Sequence, residues 1–152
     1  TQFPGDTIRV VLFHDSAEEI PIATLAKAQV GPYHTNTAEG LKLARRILMS
    51  QKKDMRQIVM ITDGKPTALF TKGGLTINSS PGLDPEIVTA TLRQGARYPR
   101  LRLDLTVFMV ASDPYLERFV GRLTEVAKGR AFRATLGDLG AQVIDQIYGK
   151  RR

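Results

Sequence analysis

The sequence predicts an α/β fold, a doubly wound, mostly parallel sheet with helices on both faces. Two observations carry that expectation. Short strand-like stretches, apolar at Ile8–Phe13 and Gln57–Thr62 and alternating at Arg102–Val110, recur along the chain. Between them stand segments whose apolar residues repeat at helical spacing, with cap or turn chemistry at most of the switches. Strand–helix alternation of this kind is what crossover connections in a parallel sheet require.

Each element has a local reason. Gly5-Asp6 is turn chemistry before the first strand, Ile8–Phe13. Glu19-Ile20-Pro21-Ile22 is expected as a short edge strand, because Pro21 lacks the N–H that a central strand needs. Asn36-Thr37-Ala38-Glu39 starts a helix over 37–51, with Asn36 as cap, Glu39 completing a capping-box-like pattern, and Leu41, Ala44, Ile47 and Leu48 on one face. Gln57–Thr62 is a buried strand stopped by Asp63-Gly64-Lys65-Pro66. Leu69–Lys72 and Leu75–Asn78 flank Gly73-Gly74, a two-residue hairpin signal. Asp84-Pro85-Glu86 opens a helix reaching about Arg97, with a carboxylate cap and proline at the first position. Arg102–Val110 then places Leu103, Leu105, Val107 and Met109 on one side. Asp113-Pro114 opens the next helix, which ends at the glycine stop Lys128-Gly129. Ala131–Ala134 is a short last strand, and Leu139, Val143, Ile144 and Ile147 mark a closing helix.

Composition bounds the function. With 152 residues, 42% hydrophobic and 24% charged, residues 1–152 make one domain with a real core and are too few for two of ordinary size. Cysteine is absent, which excludes disulfides, thiol nucleophiles and zinc–thiolate sites. No apolar run approaches the roughly 18–20 residues of a membrane helix. The chain opens on no charged-then-apolar leader, and the absence of cysteine fits a reducing cytoplasm, the expected location. The net charge of +7 is spread along the chain apart from Lys150-Arg151-Arg152. Phe13, Phe108, Phe119 and Phe132 sit inside apolar runs rather than among basic residues. Both features argue against nucleic-acid binding, which concentrates charge and exposes aromatics.

In a parallel α/β sheet, ligands lie at the carboxyl ends of the strands. That rim collects the loops 14–17, 32–37, 63–68 and 111–114, and its candidate contact residues are His14, Asp15, His34, Asn36, Thr37, Gly64, Lys65, Ser112 and Asp113. Asp63 and the Thr35/Asn36/Thr37 cluster put a carboxylate beside hydroxyls, a donor set suited to a hard cation such as Mg²⁺. Turn and cap roles explain many of the same residues. His14 and His34 lack a serine elbow, and no Gly-Lys-Ser/Thr follows Gly73-Gly74, so neither a triad nor a phosphate loop is present. No catalytic residue is assigned, and the chain is expected to be non-enzymatic. A Mg²⁺-dependent hydrolase or phosphoryl-transfer domain is the alternative, and basic nucleic-acid binding the weaker one.

Three stretches together resemble the von Willebrand factor A (VWA) domain, in the bacterial branch similar to magnesium-chelatase D subunits. They are Gly5-Asp6-Thr7-Ile8-Arg9-Val10-Val11-Leu12-Phe13 with Ala17 beyond it, Thr35-Asn36 leading into a helix with Ala38 and Leu41, and Ile58-Val59-Met60-Ile61-Thr62-Asp63-Gly64. The resemblance implies a protein-interaction module whose rim holds Mg²⁺ in a metal-ion-dependent adhesion site. It implies Asp63 and Thr35 as metal ligands, with Thr37 the alternative threonine in a poorer register, and a partner that is an AAA+ ATPase of the MoxR or chelatase type. The family's Asp-x-Ser-x-Ser segment occurs nowhere in the chain. The resemblance therefore implies an N-terminally incomplete domain, without the family's first strand and most of its first helix, and with weak or absent Mg²⁺ binding. Either the chain is a fragment, or the strands at 8–13 and 57–62 pair directly to close the gap. Uncovered apolar surface is expected to favour self-association.

Overall fold

The computed structural model describes residues 5–27 and 34–149. Residues 32 and 33 of the expected rim, and the basic Lys150-Arg151-Arg152, lie outside the described residues. In chain order the elements are β1 (Val10–Phe13), β2 (Ala17–Ile20), a short 3₁₀ helix (Ile22–Lys27), α1 (Thr37–Met49), β3 (Gln57–Thr62), β4 (Ala68–Thr71) and β5 (Gly74–Ile77). There follow α2 (Pro85–Gly95), β6 (Asp104–Met109), α3 (Pro114–Ala127), β7 (Arg130–Arg133) and α4 (Leu139–Tyr148).

The expected mixed α/β architecture is present, a parallel sheet flanked by helices. Its strands are ordered β3-β6-β7, and two antiparallel hairpins, β1-β2 and β4-β5, stand apart from it. In the β3–β6 ladder Ile58 faces Leu105, Met60 faces Val107 and Thr62 faces Met109. Leu105, Val107 and Met109 join Leu41, Met60, Tyr98, Leu116, Phe119, Val120 and Leu123 in one buried cluster. That is the alternation expected for this strand, with one side set pointing at the helices. Phe108 points the other way and stacks on Phe132 with ring centroids 5.7 Å apart.

Direct pairing of the first and second parallel-type strands does not occur. Among the described residues β1 pairs only with β2, and β3 pairs with β6. Among the described residues no strand therefore covers the second edge of β3. Ile61, near its carboxyl end, is 45% exposed.

Several boundaries differ from expectation for identifiable reasons. The edge strand begins at Ala17 and stops at Ile20, before Pro21, and a 3₁₀ turn replaces its expected end. The hairpin register pairs Thr71 with Gly74, so its two-residue loop is Lys72-Gly73. Gly74 takes φ +112°, a conformation other residues rarely adopt. The caps at Asn36, Asp84 and Asp113 form as the sequence predicts, each side chain accepting a first-turn backbone N–H. At the end of α3 the left-handed residue is Lys128, with φ 52°, not Gly129. Gly129 is needed for another reason, because a Cβ there would lie 2.5 Å from the Leu105 carbonyl oxygen.

Candidate functional site

The rim is assembled by main-chain hydrogen bonds between loops distant in sequence. The turn after β1 holds the start of α1: the Asn36 N–H donates to the His14 carbonyl at 2.5 Å. The Asn36 amide donates to the Asp15 carbonyl at 3.0 Å, and the His34 N–H donates to the Asp15 carboxylate at 2.8 Å. Asn36 is fully buried, and its side-chain oxygen accepts from Glu39 N–H at 3.1 Å. Its amide thus caps α1 and ties it to the β1–β2 turn.

The next residue back is tied to the loop after β3. The Thr35 N–H donates to the Thr67 hydroxyl at 2.8 Å, and the Thr35 carbonyl accepts from Thr67 N–H at 2.9 Å and Ala68 N–H at 3.1 Å. The same loop begins with Asp63, and the Thr62 hydroxyl donates to the Gly64 carbonyl at 3.0 Å, which shapes that turn. The end of β6 lies alongside, since Val110 N–H donates to the Thr62 carbonyl at 3.0 Å. His14, Asp15, His34, Thr35 and Asn36 therefore belong to one bonded network, with the Asp63 loop next to it.

The side chains divide by what they already do. Asp113 caps α3 through Tyr115 N–H at 2.8 Å, and Asp15 and Asn36 hold the loops just described. Lys65 donates to the Ser80 carbonyl at 2.8 Å and to the Gly82 carbonyl, and its ammonium stands 5.3 Å from the centre of the Tyr115 ring. It braces the segment before α2 instead of projecting as a free rim cation. His14 stands 3.6 Å from Glu18 through Nε2. Thr37 is buried in the first turn of α1, and Ser112 is exposed beside Asp113. By contrast, Thr35 is half-buried and Asp63 exposed, and among the described residues neither side chain has a hydrogen-bond or ion-pair partner.

Sequence reasoning did not anticipate Thr67, whose hydroxyl and N–H both engage Thr35. Its only signal was a position four residues after Asp63, on the rim side of a predicted strand. Among the described residues no three His, Asp or Glu side chains converge on one point. None of their helices is long and apolar enough to cross a membrane.

Solved structures share this architecture. The SpRpn10 VWA domain superposes with a TM-score of 0.60 at 9% identity, covering 88% of this chain and 67% of that one. The conserved hypothetical protein BatB from Bacteroides thetaiotaomicron gives 0.59 at 16% identity, over 93% of this chain and 77% of its own. The PilB minor pilin from Streptococcus sanguinis gives 0.61 at 16% identity, over 93% and 48%. These likenesses establish the fold. Among sequences, the Mycobacterium tuberculosis protein Rv0959 and the Mycobacterium bovis protein Mb0984 are each 30% identical over the whole of this chain. The chain spans 23% of the length of each. The family described as Rv0959-like protein, vWA domain, matches residues 1–148, and the chain belongs to that family.

Proposed function

We propose that this domain is a non-catalytic protein-interaction module of VWA type that takes its partner at the rim formed by the strand carboxyl ends. One observation carries the reading furthest. At the rim the Asp15, Asn36 and Asp113 side chains are committed to loop and cap structure, whereas among the described residues the Thr35 hydroxyl and the Asp63 carboxylate have no partner. These are the two positions at which the family resemblance implies metal ligands. The family itself supports an interaction role.

Two oxygen donors do not make a complete Mg²⁺ site. Mg²⁺ prefers near-ideal octahedral coordination by oxygen, so most positions would fall to water or to a partner's carboxylate. When bound, the ion would supply a bridging positive charge, and Thr35 and Asp63 would orient it on this side. The partner class proposed is an AAA+ ATPase of the MoxR or chelatase type in the cytoplasm, which rests on the sequence resemblance to magnesium-chelatase D subunits. Self-association through the open edge of β3 is proposed as the competing state in the absence of a partner.

Calorimetric titration with Mg²⁺ and Mn²⁺, with molar mass followed in parallel, tests both parts. Binding is expected to be weak, on the order of millimolar, and to be lost in Asp63→Ala and Thr35→Val. Mn²⁺ binding that survives both substitutions would remove Thr35 and Asp63 from the reading. A concentration-independent monomer would remove self-association.

A further inference from the structure

At the end of the molecule opposite the rim, three guanidinium groups converge. Arg45, near the end of α1, and Arg97 and Arg100, from the turn after α2, line an open depression of about 410 Å³ together with Ala96 and Leu101. Arg46 is the next residue on α1. The ion pairs Arg9–Glu19, His14–Glu18 and Arg133–Glu117 involve none of Arg45, Arg46, Arg97 and Arg100. Arg45 is held in place by a 2.8 Å hydrogen bond from Nη1 to the Gln94 side-chain oxygen. Arg56 adjoins the same place, donating through Nη2 to the Leu101 carbonyl at 3.4 Å, and its Nε is buried without a hydrogen-bond partner.

Helix geometry explains only part of this. Cations are favoured in the last turn of a helix, where the carbonyls carry partial negative charge, and this accounts for Arg46 on α1 and Arg93 on α2. Arg97 and Arg100 lie beyond the end of α2 and outside that explanation. The mutual repulsion is felt locally. Burial, and after it the Arg97 guanidinium, hold Arg45 below its ordinary value, with Arg46 acting in the same direction and Tyr98 opposing.

We infer that this depression is a binding site for a phosphoryl group carrying about two negative charges. Guanidinium groups present planar forks of N–H donors that match phosphate oxygens, and Arg clusters recognise phosphoryl groups in this way. A single carboxylate brings one charge and leaves most of the cluster uncompensated, whereas a phosphoryl group brings ~−2 on three acceptor oxygens. The volume exceeds that of one phosphate, which leaves room for a second phosphoryl group or for the residue that carries the first. The site shares no residue with the rim, so it stands independently of the function proposed there.

The test is calorimetry at about 50 mM salt, where surface electrostatics are weakly screened. The probes are inorganic pyrophosphate, a phosphoserine peptide, and the same peptide with glutamate in place of phosphoserine. Saturable binding of pyrophosphate, of the phosphopeptide or of both is expected, weakened about tenfold by Arg97→Gln and further by Arg97→Gln with Arg100→Gln. Both arginines are exposed, so the variants should keep the wild-type melting temperature. Preference for pyrophosphate identifies a free di- or triphosphate as the source, and preference for the phosphopeptide identifies a modified partner. Arg122→Gln, which removes an equal charge from the exposed face of α3, should change binding by less than about twofold. The inference is overturned if neither phosphoryl probe binds, if the glutamate peptide binds as tightly as the phosphopeptide, or if Arg122→Gln weakens binding as much as Arg97→Gln.

Discussion

Replacement of Tyr98 by alanine is expected to destabilise the domain by about 3–5 kcal/mol, the range for truncating a fully buried aromatic side chain. Tyr98 is completely inaccessible and heads the largest buried side chains of the core. It leaves the turn after α2 and crosses to α1, where its hydroxyl donates to the Leu41 carbonyl at 2.8 Å. Leu41 is itself in the core, so one residue joins two helices and fills the space between them. Tyr98→Phe keeps the ring and removes only the hydrogen bond, at a cost of about 1 kcal/mol. Urea denaturation of both variants separates the terms. A Tyr98→Phe loss as large as that of Tyr98→Ala would place the energy in the hydroxyl rather than the ring. Burial also pushes the Tyr98 hydroxyl well above its ordinary value. Its folded-state pKa is raised, so the associated stability is complete below the ordinary tyrosine pKa of about 10 and declines as pH rises beyond it. Tyr98→Phe should lack that part of the alkaline decline.

The second large effect concerns two adjacent residues that exchange the roles the sequence suggests. Gly129→Ala is expected to cost about 3 kcal/mol, because its Cβ would meet the Leu105 carbonyl oxygen at 2.5 Å. Leu105 is fully buried in the middle strand of the parallel sheet, so that oxygen cannot retreat without disturbing both ladders. Lys128→Gly should act in the opposite direction. Lys128 holds the left-handed conformation at φ 52°, which glycine adopts without a Cβ penalty, and a gain of about 0.5–1 kcal/mol is expected. Thermal and urea unfolding of the two variants, compared with wild type, checks both signs. A neutral Gly129→Ala would show that the α3–β7 connection yields without cost.

The order of elements was legible because each has a local cause. The carboxylate and amide caps at Asn36, Asp84 and Asp113, with proline behind two of them, are read directly and form as read. The parity of Leu105, Val107 and Met109 was also legible, since alternation in a strand is a backbone property. The hairpin turn shifted by one residue because two adjacent glycines permit either register and the cross-strand pairing chooses between them. At the rim, Asp63 and the Thr35/Asn36/Thr37 cluster stood out by residue type and the family resemblance pointed to Thr35 within it, but residue type alone could not separate free side chains from Asn36, Asp113 and Lys65. Whether a polar side chain is free or already bonded depends on partners far away in sequence, such as Gly82 for Lys65 and Asp15 for Asn36. The arginine depression was hidden for the same reason, since Arg45 and Arg97 are 52 positions apart and meet only because α1 and α2 end at the same place.

The sequence by itself determined the α/β class, the succession of strands and helices, their caps, and the end of the molecule that carries the oxygen-rich loops. All of these depend on neighbours within a few residues, through hydrogen bonds at helix starts and the periods of 2 and 3.6 in apolar patterning. Only the tertiary structure decided that β1 and β3 do not pair, that Tyr98 pins α1, that Lys65 is occupied, and that guanidinium groups gather opposite the rim. Those outcomes depend on which distant groups come within hydrogen-bonding and Coulombic range, and that distance is set by packing, not by spacing along the chain.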